Sequence, residues 1–168
     1  MRLLVDNLFH NVTLDRFVDV YFSEDFNNRV AKVSGLKRRD LVEETRAADG
    51  SRDRRVRMEP NVSLPSPIQR FVGNETITYD EVSHYDAATK TVTYRIDSKA
   101  NDRIKVEGKI TFVAEGTGVR RKIDGTIEVK VFGVGGVIEK FVEQETQKGY
   151  AKIAVFLQQV LDEGAKVA

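Results

Sequence analysis

The sequence predicts an α+β fold in which a curved antiparallel sheet of about seven strands wraps around one long C-terminal helix, with two short helices after the first strand. Three patterns carry this prediction. Apolar residues recur at helical spacing from Val137 to Glu163, whereas residues from Glu75 to Val131 alternate between apolar and polar as half-buried strands do. Between the alternating segments stand residues that are typical of hairpin turns.

The C-terminal segment has the periodicity of a single amphipathic helix about 40 Å long. Its apolar stripe consists of Ile138, Phe141, Val142, Ile153, Phe156, Leu157 and Val160. Midway along the same face lie Glu145, Thr146 and Gly149, where a tightly packed helix would carry bulky aliphatic residues. Glycine is unfavourable inside a helix. Gly149 therefore indicates either the close approach of a strand or space left open as one wall of an internal cavity.

The N-terminal segment predicts a strand followed by two capped helices. Leu3 to Val12 reads as the strand. Thr13 and Ser23 are both favourable N-caps, because a hydroxyl at that position can accept a hydrogen bond from an N–H group of the first turn. The second helix ends at Gly35. Both helices have one apolar side, so we expect them to pack on a sheet.

The Asp49-Gly50 pair predicts a two-residue hairpin turn between the next two strands. Closing the strands on this turn places Arg46 opposite Asp53 on one face, and Leu41 opposite Met58 on the other. The second of these strands is basic, with arginine at positions 52, 54, 55 and 57. Acidic cross-strand partners and the lack of interleaved aromatic residues favour a solvated face over an anion-binding patch.

The segment from Pro60 to Val72 interrupts the sheet and contains all three prolines. Pro67 can begin a short helix, because the N–H group that proline lacks would have no helical partner there. Ile68 and Phe71 would lie on the apolar side of this helix, shortly after Leu64. The segment is either a lid, gated by Ile68 and Phe71, or an ordinary crossover with a packed turn.

The last two predicted strands take their register from the turn at residues 115–118. This register places Gly108 directly opposite Gly125 on the apolar face. The flanking pairs are Val106 with Ile127 and Ile110 with Ile123. Facing glycines leave one level of the sheet without side chains and let both strands bend, which is one way in which a sheet curls around a neighbouring element.

The assembled order resembles the helix-grip architecture of the START-like (SRPBCC) superfamily, which includes lipid-transfer domains, pollen allergens and polyketide cyclases. The resemblance covers the whole chain and is carried by Thr13–Phe22, the Leu64–Ile68 loop, the meander through Lys130 and the Val137–Leu161 helix. Within the superfamily the chain looks most like an uncharacterised bacterial branch. The resemblance implies a cavity between the curved sheet and the long helix, which usually takes an apolar or amphipathic small molecule.

Fourteen residues are predicted to line this cavity. They are Met58, Leu64, Ile68, Phe71, Tyr79, His84, Tyr94, Val106, Gly108, Ile110, Gly125, Ile127, Gly149 and Ile153. Tyr79 and Tyr94 would orient a ligand through their hydroxyls, or would simply pack in the core. His84, expected opposite Val92 on the apolar side, would either carry out acid–base chemistry or lie at the rim without a catalytic role.

Composition excludes several function classes. The 27 basic and 26 acidic residues nearly balance, which gives no reason to expect nucleic acid as a partner. There is no cysteine, and the two histidines of the sequence, His10 and His84, are far apart in the chain. We therefore expect neither a metal site nor a cofactor. No apolar run is long enough for stable membrane insertion. We expect a single cytoplasmic domain spanning residues 1–168, with transient membrane contact and the oligomeric state left open.

Three functions are consistent with these patterns. The first is binding or transport of a hydrophobic or amphipathic, lipid-like small molecule, without catalysis. The second is an enzyme of the polyketide cyclase or aromatase kind, in which Tyr79, Tyr94 or His84 moves protons in the same cavity. The third is a protein-interaction domain with a filled core.

Overall fold

A computed structural model describes residues 1–73, 76–100 and 102–167. The elements, in chain order, are β1 (Arg2–Phe9), α1 (Leu14–Tyr21), α2 (Glu24–Val30), β2 (Leu36–Arg46), β3 (Arg52–Pro60), α3 (Ser66–Val72), β4 (Tyr79–Asp86), β5 (Thr91–Ser98), β6 (Ile104–Glu115), β7 (Gly118–Val129) and α4 (Gly135–Val167). This order confirms the predicted α+β helix-grip fold, including the two short helices after the first strand.

The strands form one curved antiparallel sheet in the order β1-β7-β6-β5-β4-β3-β2. Strands β2 to β7 follow one another as a meander, and β1 adds to the far edge beside β7. Helix α4 packs against β7 and β1 and also contacts α1, α2 and α3. Because α4 crosses the concave face, the space between helix and sheet is the interior of the molecule.

The two short helices begin as the sequence predicts. The Thr13 hydroxyl accepts a hydrogen bond from the Arg16 N–H at 3.3 Å, and the Ser23 hydroxyl accepts one from the Phe26 N–H at 3.2 Å. Each such cap is worth about 1 kcal/mol. The caps fix α1 so that Phe17, which is fully buried, packs against the Phe9 and Phe112 rings at centroid distances of 4.9 and 5.2 Å. These three rings belong to the hydrophobic core.

The turn between β2 and β3 is longer than predicted. The Ala47 N–H donates to the Ser51 carbonyl at 2.9 Å, so three residues, 48–50, rather than two lie between the last paired residues of this hairpin. Thr45 therefore faces Asp53, and a bulge between residues 41 and 43 places Leu41 opposite Val56. The predicted pairs Arg46–Asp53 and Leu41–Met58 are wrong for this reason.

The basic run on β3 divides between the two faces of the sheet. Arg55 and Arg57 lie on the convex side and form ion pairs with Asp80 at 3.1 and 2.9 Å. Arg54 turns to the concave side, where only 7% of it is exposed. The predicted solvated face is therefore correct for Arg55 and Arg57 and wrong for Arg54.

The register of β6 and β7 agrees with the prediction, because Gly108 lies opposite Gly125. The register of β4 and β5 does not. A four-residue turn, ending at Lys90 with φ 54°, places Tyr85 opposite Val92 and His84 opposite Thr93. This slip of one position moves His84 from the predicted apolar side to the convex face.

Helix α4 is longer than predicted, beginning at Gly135 and ending at Val167. Its 33 residues correspond to about 50 Å. Among the described residues, no helix combines the length and the apolar character needed to cross a membrane.

Candidate functional site

The interior contains a cavity of about 500 Å³ between the concave face of the sheet and α4. Most of its wall is apolar and comes from elements distant in sequence: Phe26, Val30, Met58, Ile68, Ile77, Val92, Ile96, Ile104, Val106, Ile110, Ile138, Phe141, Val142 and Ile153. The lining also includes Lys99, Lys148 and Lys152, which are exposed, so the cavity reaches the surface near α4.

The interruption in the apolar stripe of α4 faces this cavity. Glu145, Thr146 and Gly149 all belong to its lining. A Cβ atom added at Gly149 would meet only the Ser34 carbonyl oxygen, at 3.4 Å, and no strand. Of the two arrangements that the sequence left open, the structure therefore has open space beside Gly149. Glu145 is paired with Lys148 at 2.7 Å at the helix surface.

Most of the predicted ligand-binding residues lie in the cavity wall. They are Met58, Leu64, Ile68, Tyr79, Tyr94, Val106, Ile110, Gly149 and Ile153. The side chain of Phe71 lies outside the residues that the structure describes, although α3 itself is present at the predicted position. Ile68 on α3 faces the cavity and is buried.

His84 does not line the cavity. It is half exposed on the convex face, where its Nδ1 lies 2.8 Å from Asp53 Oδ1. The prediction fails because the residues of β4 alternate between faces: Tyr79 and Glu81 face inward, so His84 must face outward.

Gly108, Gly125 and Ile127 are also absent from the cavity lining. The two glycines lie beneath the Tyr94 side chain: a Cβ atom at either would come within 2.7 Å of the Tyr94 hydroxyl oxygen. The pair therefore makes room for a tyrosine rather than for a ligand. Ile127 is fully buried in the core instead of bordering the cavity.

The sequence prediction named only Tyr79 and Tyr94 from a larger polar region at the inner part of the cavity. Its residues are Tyr21, Arg39, Arg54, Tyr79, Glu81, Tyr94, Arg121 and Tyr150, which we call the polar cluster. Two of its charged members carry a signal that alternation could have found. Arg121 stands between Val119 and Ile123 on the inward face of β7, and Glu81 shares the inward face of β4 with Tyr79.

Arg121 is the most buried charged residue of the polar cluster, with no exposed surface. Its Nη2 donates to Asn7 Oδ1 at 2.7 Å, and its guanidinium carbon lies 5.4 Å from the Phe9 ring centroid and 5.6 Å from that of Tyr150. Within the described residues, Nε and Nη1 have no acceptor in hydrogen-bonding geometry, and no carboxylate pairs with this guanidinium. Burial lowers the pKa of Arg121, while the Tyr21 and Tyr150 hydroxyls favour its charged form.

Arg54 and Glu81 add further buried charge. Arg54 Nε lies 3.0 Å from Glu44 Oε2, at an angle that leaves its N–H group poorly aligned. Arg54 Nη2 has no acceptor among the described residues. Burial raises the pKa of the Glu81 carboxyl, and the positive charges of Arg39 and Arg54 offset part of that effect. Arg39 itself donates to Asn27 Oδ1 at 2.5 Å.

The tyrosines of the polar cluster remain protonated near neutral pH. Burial, with a contribution from the Glu81 carboxyl, raises the pKa of Tyr79 and of Tyr94 to about 12. Burial also raises the pKa of Tyr21 and, more strongly, that of Tyr150. These hydroxyls can therefore donate hydrogen bonds to a group in the cavity. The site combines an apolar volume with hydroxyl and guanidinium donors at its inner part.

Comparison with known proteins gives a family and a fold. A family model described as "Protein of unknown function (DUF2505)" matches residues 9–161. No curated protein matches the chain.

Solved structures resemble the chain over nearly its full length. One is TTHA0849 from Thermus thermophilus, at 15% identity, covering 95% of both chains with a TM-score of 0.67. The Zhui aromatase/cyclase from Streptomyces sp. R1128 is 11% identical, with coverage of 96% of this chain and 95% of that one and a TM-score of 0.67. A START superfamily protein from Mycobacterium smegmatis is 14% identical, with coverage of 95% and 97% and a TM-score of 0.59. At these identities the likeness establishes the START-like fold.

Proposed function

Since the chain belongs to the DUF2505 family and has the START-like fold, we propose that it binds or carries a hydrophobic or amphipathic small molecule in the cavity between sheet and α4. The observation that carries the proposal is the apolar cavity of about 500 Å³, a size that is common for small-molecule sites. Burial of an apolar ligand surface supplies affinity at about 25 cal/mol per Å². The filled-core alternative loses its support, because the interior beside Gly149 is open.

A neutral fluorescent probe tests this proposal directly. N-phenyl-1-naphthylamine carries no charge and brightens in an apolar environment, so its titration reports binding at an apolar site, which the two variants below assign to the cavity or to the surface. Val106→Phe should fill part of the cavity and weaken probe binding at least tenfold. Val113→Phe is the matched control, because Val113 lies on the same strand but is exposed. No binding to the unaltered protein, or equal loss in both variants, would count against a cavity site.

Native mass spectrometry of protein purified from its own host would identify the occupant. The expected result is a mass increment that disappears on denaturation and returns when the extracted compound is added back. A protein that retains no small molecule, and that also fails to bind the neutral probe, would remove the basis for a carrier.

A second candidate function is a cyclase-like enzyme that uses the same cavity. It is favoured by one observation: Glu81, Tyr79 and Tyr94 converge on the cavity, where burial raises the pKa of the Glu81 carboxyl, which is the direction that suits a general acid. His84 has no part in this candidate, since it lies outside the cavity. Incubation with reactive poly-β-ketone chains should then give a ring product that Glu81→Gln fails to form. An unchanged product distribution with and without the protein would oppose this function.

A further inference from the structure

The polar cluster points to the charge of the ligand. We infer, on the basis of the proposed function, that the ligand is an amphipathic acid whose carboxylate lies at the polar cluster and whose apolar body fills the rest of the cavity. Arg121 and Arg54 supply the positive charge, and tyrosine hydroxyls of the cluster supply hydrogen bonds.

The first argument is the unpaired charge of Arg121. A buried guanidinium is stabilised when an anion accepts its hydrogen bonds, and leaving donor groups unpaired is costly. Within the described residues, the Arg121 guanidinium has neutral partners, the Asn7 side chain, the Tyr21 hydroxyl and two aromatic faces, but no carboxylate. The protein itself therefore offsets little of the positive charge that Arg121 buries. A bound anion in the adjoining cavity would offset this positive charge through electrostatic attraction, without direct contact, because the guanidinium has no exposed surface.

The second argument is the charge balance of the inner cavity wall. Arg39, Arg54 and Arg121 are positive, while Glu81 is the carboxylate that faces them from the lining. Glu44, which approaches Arg54, is shared with a second, exposed arginine on β2. The described part of this wall therefore carries more positive than negative charge. In a low-dielectric interior that excess favours a negative ligand group over a neutral one.

The third argument is the position of the hydroxyls. Tyr150, whose ring is in contact with the Arg121 guanidinium, and Tyr21, whose hydroxyl faces it, both line the cavity. A carboxylate at this place accepts hydrogen bonds from the hydroxyls while the guanidinium behind them attracts its charge. The apolar walls formed by β5, β6 and α4 then surround the remainder of the molecule. The geometry thus assigns one end of the cavity to an anion and the rest to an apolar body.

Three probes with the same twelve-carbon chain test the inference: dodecanoate, dodecanol and dodecylamine. Each is titrated against protein that holds N-phenyl-1-naphthylamine, at pH 7.5 and below the micellar concentration. We expect dodecanoate to displace the probe at a concentration at least tenfold lower than dodecanol, and dodecylamine to be the weakest of the three. Arg121→Met should reduce the preference for the acid over the alcohol to less than threefold.

Arg120→Met is the matched control. Arg120 is adjacent in sequence but pairs on the outer side with Asp6 and Glu115, at 2.7 and 2.5 Å. This variant should keep the preference for the acid. Arg54→Met, on a different strand, should weaken the preference independently of Arg121 and provides a second test should Arg121→Met fail to fold.

The outcomes separate this inference from the proposed function. If the unaltered protein binds the acid and the alcohol equally well, the anionic end is refuted and the apolar carrier stands. If the unaltered protein prefers the acid, and Arg121→Met and Arg54→Met prefer it equally strongly, the assignment of the carboxylate site to Arg121 and Arg54 is refuted. If neither the neutral probe nor any of the three ligands binds, the proposed function fails and this inference with it.

Discussion

The glycine pair of β6 and β7 yields a quantitative prediction about how the inner cavity wall is built. A methyl group at Gly125 would come within 2.7 Å of the Tyr94 hydroxyl oxygen and within 3.1 Å of the Glu107 carbonyl oxygen. Overpacking of this kind costs about 1–3 kcal/mol. We therefore expect Gly125→Ala to lower the free energy of unfolding by about 2 kcal/mol, or roughly 4–8 °C in Tm for a chain of this size.

Removal of the hydroxyl should reverse much of this loss. Within the described residues the Tyr94 hydroxyl has no partner in good hydrogen-bonding geometry, so Tyr94→Phe alone should change stability by less than about 1 kcal/mol. In the double variant, at least half of the cost of Gly125→Ala should disappear, which corresponds to a coupling energy of about 1 kcal/mol. Some cost remains because the Glu107 carbonyl does not move.

Gly108 provides an internal control for the same experiment. A methyl group there would meet the Asp124 carbonyl oxygen and the Gly125 Cα atom, each at 2.7 Å, in addition to the Tyr94 hydroxyl. Because backbone atoms cannot be relieved by a side-chain change, Tyr94→Phe should barely rescue Gly108→Ala. Urea denaturation followed by circular dichroism measures all of these energies. The reasoning is refuted if Tyr94→Phe leaves the cost of Gly125→Ala unchanged, or rescues Gly108→Ala equally well.

Three further predictions concern charge and helix stability. Burial raises the pKa of the Glu81 carboxyl, so the folded protein loses stability as pH rises above about 4.3, the usual pKa of glutamate. The stability of Glu81→Gln relative to the unaltered protein should therefore be greater at pH 7 than at pH 4. An equal stability difference at pH 4 and pH 7 would contradict this. Hydrogen bonds from Arg57 and Arg55 lower the pKa of the Asp80 carboxyl. The stability that these bonds contribute is therefore present above about pH 3.9 and is lost as pH falls through the pKa of Asp80 in the folded protein. In urea titrations, Asp80→Asn should lower the free energy of unfolding by about 1–2 kcal/mol at pH 7 and by less near pH 3. Gly149→Ala should raise the free energy of unfolding by about 0.5 kcal/mol, because alanine favours the helix and its methyl group would contact only the Ser34 carbonyl oxygen, at 3.4 Å. A decrease in the free energy of unfolding of more than 1 kcal/mol would contradict the open space beside Gly149.

The fold was predictable because its strongest signals are local. Periodicity located α4, hydroxyl caps located α1 and α2, and the short turn at Gly116 set the register that brings Gly108 opposite Gly125. These signals depend on neighbouring residues and on regular geometry. They do not require knowledge of how distant elements pack.

The site was predicted less well because two turns were longer than their sequences indicate. The turn after β2 has three residues between its last paired residues and the turn after β4 has four, and each shifts the pairing by one position. His84 was thereby assigned to the wrong face. Arg54 was read as a solvated residue for a different reason, because acidic cross-strand partners and the lack of interleaved aromatic residues are typical of a surface. A strict alternation rule along β4 and β7 would have placed Glu81 and Arg121 inside, but a buried charge is so costly that pattern reasoning favours the surface for it. The contacts that accompany these charges, such as Arg121 with Asn7 and Arg54 with Glu44, join elements distant in sequence.

The pairing of the first strand with the last has a consequence for how the molecule folds. Leu3 lies opposite Gly125, so β1 gains its neighbour only when β7 has formed, and closing so long a loop is entropically costly. The hairpins of the meander, in contrast, join segments adjacent in the chain and can form early. We therefore expect docking of the N-terminal strand to be the late, rate-limiting event of refolding, with the interior hydrated until that strand completes the sheet and α4 seals it.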